Sequence, residues 1–124
     1  MICNLFCRQE EVTLAPPGRE HMLPSAEDLK TLALVARSLA DENRLRILLC
    51  VNNGKKSVSG IVEELNLSQP LVSHHLKELR RSLLVKVQRR GLFVYYEIAD
   101  ARITRILEAM NFLATDLSAQ RKTF

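Results

Sequence analysis

The chain has 124 residues, 47% hydrophobic and 26% charged, which is enough for one core and close to the globular average; a two-domain enzyme and a chain disordered throughout are both excluded. Aromatic residues are only 5%, Trp is absent and there are just four Gly and four Pro, a balance that favours helices over a turn-rich sandwich or barrel. Eighteen Lys and Arg against fourteen Asp and Glu give a net charge of +4, so location matters more than the total.

Residues 1–24 contain Pro16-Pro17-Gly18 and Pro24 and show no sustained period, so they read as an arm preceding a folded region over 25–120. His21 belongs to that arm as a solvated loop residue. Ser25, Ala26, Glu27 and Asp28 form a variant capping box that starts a first helix carrying Leu29, Leu32, Ala33, Ala36 and Leu39 or Ala40. Asp41 caps a second helix with Leu45, Leu48 and Leu49, stopped by Asn52-Asn53-Gly54. Ser57 caps a short third helix with Ile61, Val62 and Leu65.

Asn66-Leu67-Ser68 then makes a tight break before a fourth helix. Pro70 is tolerated in its first turn because the missing N–H would be unpaired there, and Leu71, Val72, Leu76 and Leu79 supply a buried stripe. Gln69, Ser73, His74, Lys77 and Arg80 fall largely outside that stripe, whereas His75 turns 100° toward Leu76 and packs at the helix junction. After Ser82 the period changes: Leu84–Gln88 and Phe93–Ile98 are β-branched and aromatic runs flanking a basic tip, Arg89-Arg90-Gly91-Leu92, which predicts a hairpin. Asp100 caps a last helix whose stripe is Ile103, Ile106, Leu107, Met110, Leu113 and Leu117.

The fold class is therefore mainly α with a β-hairpin wing: a winged helix-turn-helix with an added helix at each end. Residues 55–90 hold eight basic residues against three acidic ones, a net of +5, which is the footprint of a polyanion reader or of a solvated basic face. The polar side of the fourth helix fits the major groove, its N-terminus presents free amides to phosphates, and the wing carries Arg89 and Arg90 to the neighbouring backbone or minor groove. The first and last helices either cover their own core or pair with a second copy through Leu29, Leu32 and the stripe of the last helix. Pairing would set two recognition helices about 34 Å apart on a pseudo-palindromic duplex.

Three segments then carry a resemblance: Leu39 to Leu48 (LADENRLRIL), Leu67 to Leu76 (LSQPLVSHHL) and the strand ending Val94 to Ile98 (VYYEI). In order and spacing, over roughly residues 29–110, they closely resemble the arsenic- and metal-responsive ArsR/SmtB family of bacterial repressors. The resemblance implies a homodimeric winged helix that blocks promoters until an inducer binds, with Ser68, Gln69, Pro70, Ser73 and His74 at the recognition positions. Gln69 can pair with adenine, Ser73 with a base or phosphate, and His74 with guanine or phosphate. Pro70 stands where the family often has Ser or Ala and removes a hydroxyl contact.

Where family members carry Cys-x-Cys before the turn, this chain has Ser57-Val58-Ser59. The Asp-x-His pair of the last helix is also missing, since Asp100 is followed by Arg102 and no His lies beyond His75. Cys3, Cys7 and Cys50 remain. Three thiolates suit arsenite or another thiophilic metal ion and are too few for a closed structural zinc site, while Cys50, on an apolar helix, is more often a small buried residue than a ligand.

The N-terminus shows no charged region leading into a long apolar run, and no segment approaches the ~18 apolar residues that span a bilayer. The expectation is a cytoplasmic protein with no membrane partner and with reduced thiols. No paired carboxylates, nucleophile–base arrangement or Gly-rich phosphate loop stands in the sequence, so no enzyme is expected. The rival readings are a winged-helix regulator with a redox or small-molecule signal, and a winged-helix interaction module that does not read DNA.

Overall fold

Each long helix begins where a side chain accepts the first free amides. The structure, a computed structural model, describes Gly18 and residues 23–122; Cys3, Cys7 and His21 lie outside the described residues. Ser25 Oγ accepts from the Asp28 amide at 3.2 Å and Asp28 Oδ2 accepts from the Ser25 amide at 3.0 Å, a reciprocal capping box that opens α1, Ala26–Leu39. Asp41 accepts from the Arg44 amide at 3.0 Å and opens α2, Glu42–Asn52. Ser57 accepts from the Gly60 amide at 3.1 Å and opens α3, Val58–Leu65.

The break after α3 is made by Asn66, at φ 53°, a left-handed conformation that Asn tolerates better than most residues. Ser68 then accepts from the Leu71 amide and opens α4, Gln69–Arg81, with Pro70 in the first turn. The end of α4 is a Schellman motif: the Leu84 amide donates to the Leu79 carbonyl at 3.0 Å and the Leu83 amide to the Arg80 carbonyl at 3.1 Å. Leu83 takes the left-handed position at φ 59° where glycine is usual.

The wing is two strands, β2 (Val85–Arg90) and β3 (Phe93–Ile98), but the sheet has three. A two-residue strand, β1 (Lys56–Ser57), pairs antiparallel with the other edge of β3 at Tyr96 and Tyr95. The hairpin also differs from the sequence expectation. Arg89 and Arg90 stay in the ladder, opposite Val94 and Phe93, and the turn is Gly91-Leu92 alone. Gly91 has φ 59°, as the first central residue of a tight hairpin turn requires.

The core lies between α2, α3 and α4, sealed by the base of the wing. Ile47, Leu48, Ile61, Val72, Leu76 and Leu79 are all buried to 1% exposure or less. In α2 the inward face is Ile47, Leu48, Cys50 and Val51, and Leu49 points out at 55% exposure. Side chains brace the helices as well: Arg44 donates to the carbonyls of Ser38 and Arg37 at the end of α1, and Arg46 donates to the Leu65 carbonyl at 2.9 Å.

The last helix, α5 (Ala101–Arg121), begins at Asp100, which accepts from the Arg102 amide at 2.8 Å. Pairing with the Arg102 guanidinium holds the Asp100 carboxyl down at about 2. Of the expected stripe, Ile103 and Leu107 are buried in the protomer's own core, and Thr104 Oγ1 donates to Asn52 Oδ1 at 2.6 Å. Beyond that point α5, ~31 Å long at 1.5 Å per residue, leaves the body. Ile106, Met110, Leu113 and Leu117 are 36–59% exposed, as are Leu29 and Leu32 of α1 at 51% and 56%.

Candidate nucleic-acid interface

The turn between α3 and α4 determines which side of α4 faces out. Val72, His75, Leu76 and Leu79 are buried, and Leu71 is half-buried. With that face fixed inward, Ser68, Gln69, Pro70, Ser73, His74, Lys77 and Arg80 are all exposed. The N-terminal end of the helix is therefore a polar surface carrying an amide, a hydroxyl and an imidazole, with cations one to two turns further on. That is the donor and acceptor set that base edges and phosphates take in a groove.

His75 is on the inner side, 5% exposed, with its ring 5.4 Å from that of His74 and Nε2 3.8 Å from Asp41 Oδ1. Its Nδ1 has no hydrogen-bond partner. Burial pushes its proton affinity below the ordinary histidine range, against the pull of the Asp41 carboxylate. It thus supports α4 from behind.

Ion pairing separates the eight cations of residues 55–90. Lys56 pairs with Glu64, Arg81 with Glu78 at 3.2 Å, and Lys86 with Glu97 at 3.5 Å. Lys55 donates to the Gln88 side-chain carbonyl at 3.1 Å. Among the described residues no acidic side chain lies within ion-pair distance of Lys77, Arg80, Arg89 or Arg90, all exposed. Of these eight cations, Lys77 and Arg80 on the outer side of α4 and Arg89 and Arg90 at the wing tip, together with Lys55, carry charge that no acidic side chain among the described residues offsets, and these are the charges best placed to exchange condensed counterions with a polyanion.

Residues 41–87 match the profile described as bacterial regulatory protein, arsR family. Over 88 residues the chain is 34% identical to an uncharacterised HTH-type transcriptional regulator of Methanocaldococcus jannaschii, covering 70% of this chain and 99% of that one. The chain belongs to the ArsR family. A second relative, the arsenical resistance operon repressor of Staphylococcus aureus, is 30% identical over 86 residues, covering 69% and 83% of the two chains. In three dimensions the chain resembles a homodimeric winged helix-turn-helix DNA-binding domain from Mycobacterium bovis, a possible ArsR-family regulator. The TM-score is 0.67 at 26% identity, over 77% of this chain and 92% of that one. These relatives are regulators and repressors rather than enzymes, so the protein is a transcriptional regulator with the winged DNA-binding fold of the ArsR family.

Sensing chemistry has a narrower basis. Among the described residues no group of three or more His, Cys, Asp or Glu is placed to hold a metal ion. Cys50 is 3% exposed within the core, beside a shallow, open surface pocket of about 260 Å³ lined also by Arg46, Asn53 and Glu64. Burial, reinforced by the Glu64 carboxylate, pushes its thiol up and away from thiolate. No described helix is long and apolar enough to cross a membrane.

Sequence reasoning missed β1, whose Lys56 pairs with Glu64 and is thereby withdrawn from the cationic surface. The signal present was the Ser57 cap alone, because two residues show no alternation.

Proposed function

We propose that the protein is a homodimeric repressor that reads a pseudo-palindromic operator in double-stranded DNA and is released by a thiophilic ion such as arsenite. One observation carries the DNA reading: α4 buries Val72, His75, Leu76 and Leu79 while leaving Gln69, Ser73 and His74 exposed at its N-terminal end. In this reading Gln69, Ser73 and His74 meet base edges in the major groove and Ser68 and the backbone before Pro70 meet phosphate. Lys77, Arg80, Arg89 and Arg90 supply counterion-releasing contacts.

Dimerisation is supported by the apolar surface left open on α1 and α5, where Leu29, Leu32, Ile106, Met110, Leu113 and Leu117 await cover. Ile103 and Leu107 serve the protomer core and anchor α5 beneath that surface. The homodimeric Mycobacterium bovis neighbour supports the same assembly, and a two-fold axis through these helices would pair the recognition helices on one side of the duplex.

The arm over residues 1–24 brings Cys3 and Cys7 into the reading. Their spacing of four lets both sulfurs reach one ion, and the arsenical repressor of Staphylococcus aureus is a relative of the right chemistry. Cys50, in the core with its thiol protonated, contributes packing on this account. The test is a gel shift on the DNA upstream of the protein's own gene, with and without arsenite, antimonite, cadmium, zinc or peroxide. Cys3→Ser with Cys7→Ser should bind the DNA as the parent does and lose release by arsenite; unchanged release would remove the arm thiols from the account, and absence of any upstream complex would remove the repressor reading.

A further inference from the structure

The wing tip carries an apolar side chain where a purely electrostatic finger needs none. Leu92 is 99% exposed, the most exposed large hydrophobic residue among those described, and the next residue, Phe93, is 64% exposed. Neither position is forced by the turn. Gly91, at φ 59°, absorbs the backbone requirement, so a polar residue would serve at Leu92 at no structural cost.

What surrounds Leu92 argues for its occupant. Arg89 and Arg90 are adjacent in β2, paired opposite Val94 and Phe93, so their side chains leave opposite faces of the ribbon. The tip is therefore a leucine with one free cation on each side and no acidic partner for either among the described residues. A minor groove is a slot about 6 Å wide between two phosphate walls. A ribbon with a cation on each face matches the two walls, and an apolar tip inserted between them can cover the faces of the base pairs where a step opens at the groove floor.

We infer that Leu92 is a minor-groove wedge: it enters between base pairs at a flexible pyrimidine–purine step, braced by Arg89 and Arg90 on the flanking phosphates, and bends the operator. The inference rests on the DNA-reading proposal and adds shape selection to it, because the cost of opening a step depends on its sequence even where no base edge is touched. Two wings of a symmetric dimer would place two such kinks, one flanking each half-site.

The experiment uses the full chain on duplexes enriched by the wild-type protein from a randomised pool, then moved through circularly permuted fragments. Wild-type protein should bend them by tens of degrees, within the roughly 20–90° that intercalating side chains produce. Leu92→Ser should bind within about tenfold of wild type, since the apolar burial and the base unstacking that it forgoes are of similar size and opposite sign. Its salt dependence should be unchanged, its bend at most about half, and Leu92→Phe should keep the bend. Because Leu92 is almost wholly in solvent, the serine variant does not endanger folding. A straight wild-type complex, or a Leu92→Ser complex as bent as wild type, overturns the wedge while leaving DNA reading intact; failure to enrich any duplex overturns both.

Discussion

His75 Nε2 stands 3.8 Å from Oδ1 of Asp41, so one carboxylate both caps α2 and faces the buried imidazole on the inner side of α4. The other charged or titratable groups acting on His75 are Arg44, which is cationic, and His74. Burial is the largest influence and holds the folded-state affinity for a proton below that of the unfolded chain, which protonates near pH 6.5. A depressed value means that the stability supplied by the neutral ring is present above that pH and lost as pH falls below it. Thermal midpoints should therefore decline as pH is lowered from 7 toward about 5.5, and His75→Leu should flatten the decline. An identical pH profile in the variant would show that the ring does not titrate against folding.

Leu83 holds the left-handed position of the motif that ends α4, with 78% of its surface exposed. A side chain costs roughly 1–2 kcal/mol in that conformation, and glycine costs nothing sterically. Leu83→Gly is expected to raise stability by about 1 kcal/mol in urea denaturation, after allowance for the larger entropy of the unfolded glycine. Leu83→Ala, which keeps the strain, should give no such gain. Equal effects of the two substitutions would mean that the backbone is relaxed there.

Arg89 and Arg90 are the free charges of the wing. If they meet phosphates, the affinity for enriched DNA falls with salt at a slope of about −0.9 per phosphate neutralised. Arg89→Ala with Arg90→Ala should flatten the slope by about one unit for each phosphate no longer neutralised, up to about four for a symmetric pair. A slope unchanged by the double substitution would place the wing away from the backbone.

Much of this architecture was legible because caps and periodicity are local. Ser25, Asp41, Ser57 and Asp100 each mark a helix start in the sequence, and each accepts an amide at that start, as does Ser68, which the sequence shows only as part of a break. The inward side of α4 was likewise readable, His75 included. Errors arose where the deciding contacts are remote. In the run from Ile47 to Val51 every residue is apolar, so only the packing of α3 and α4 decides that Cys50 points in and Leu49 out. Arg89 and Arg90 looked like a turn because they are charged, yet strand pairing with Val94 and Phe93 keeps them extended. The stripe of α5 is continuous in sequence but serves two surfaces: Ile103 and Leu107 cover the protomer's core, and the residues beyond leave it.

The most direct test of the central claim, that the exposed side of α4 and the flanking ribbon grip a duplex as a symmetric pair, is a hydroxyl-radical footprint on an enriched operator. Two protected half-sites are expected, with centres about 10 bp apart or a multiple of that, related by two-fold symmetry. Gln69→Ala should weaken binding by about 1–3 kcal/mol at one base position of each half-site. A single asymmetric footprint, or protection indifferent to Gln69, Ser73 and His74 substitution, would contradict the claim.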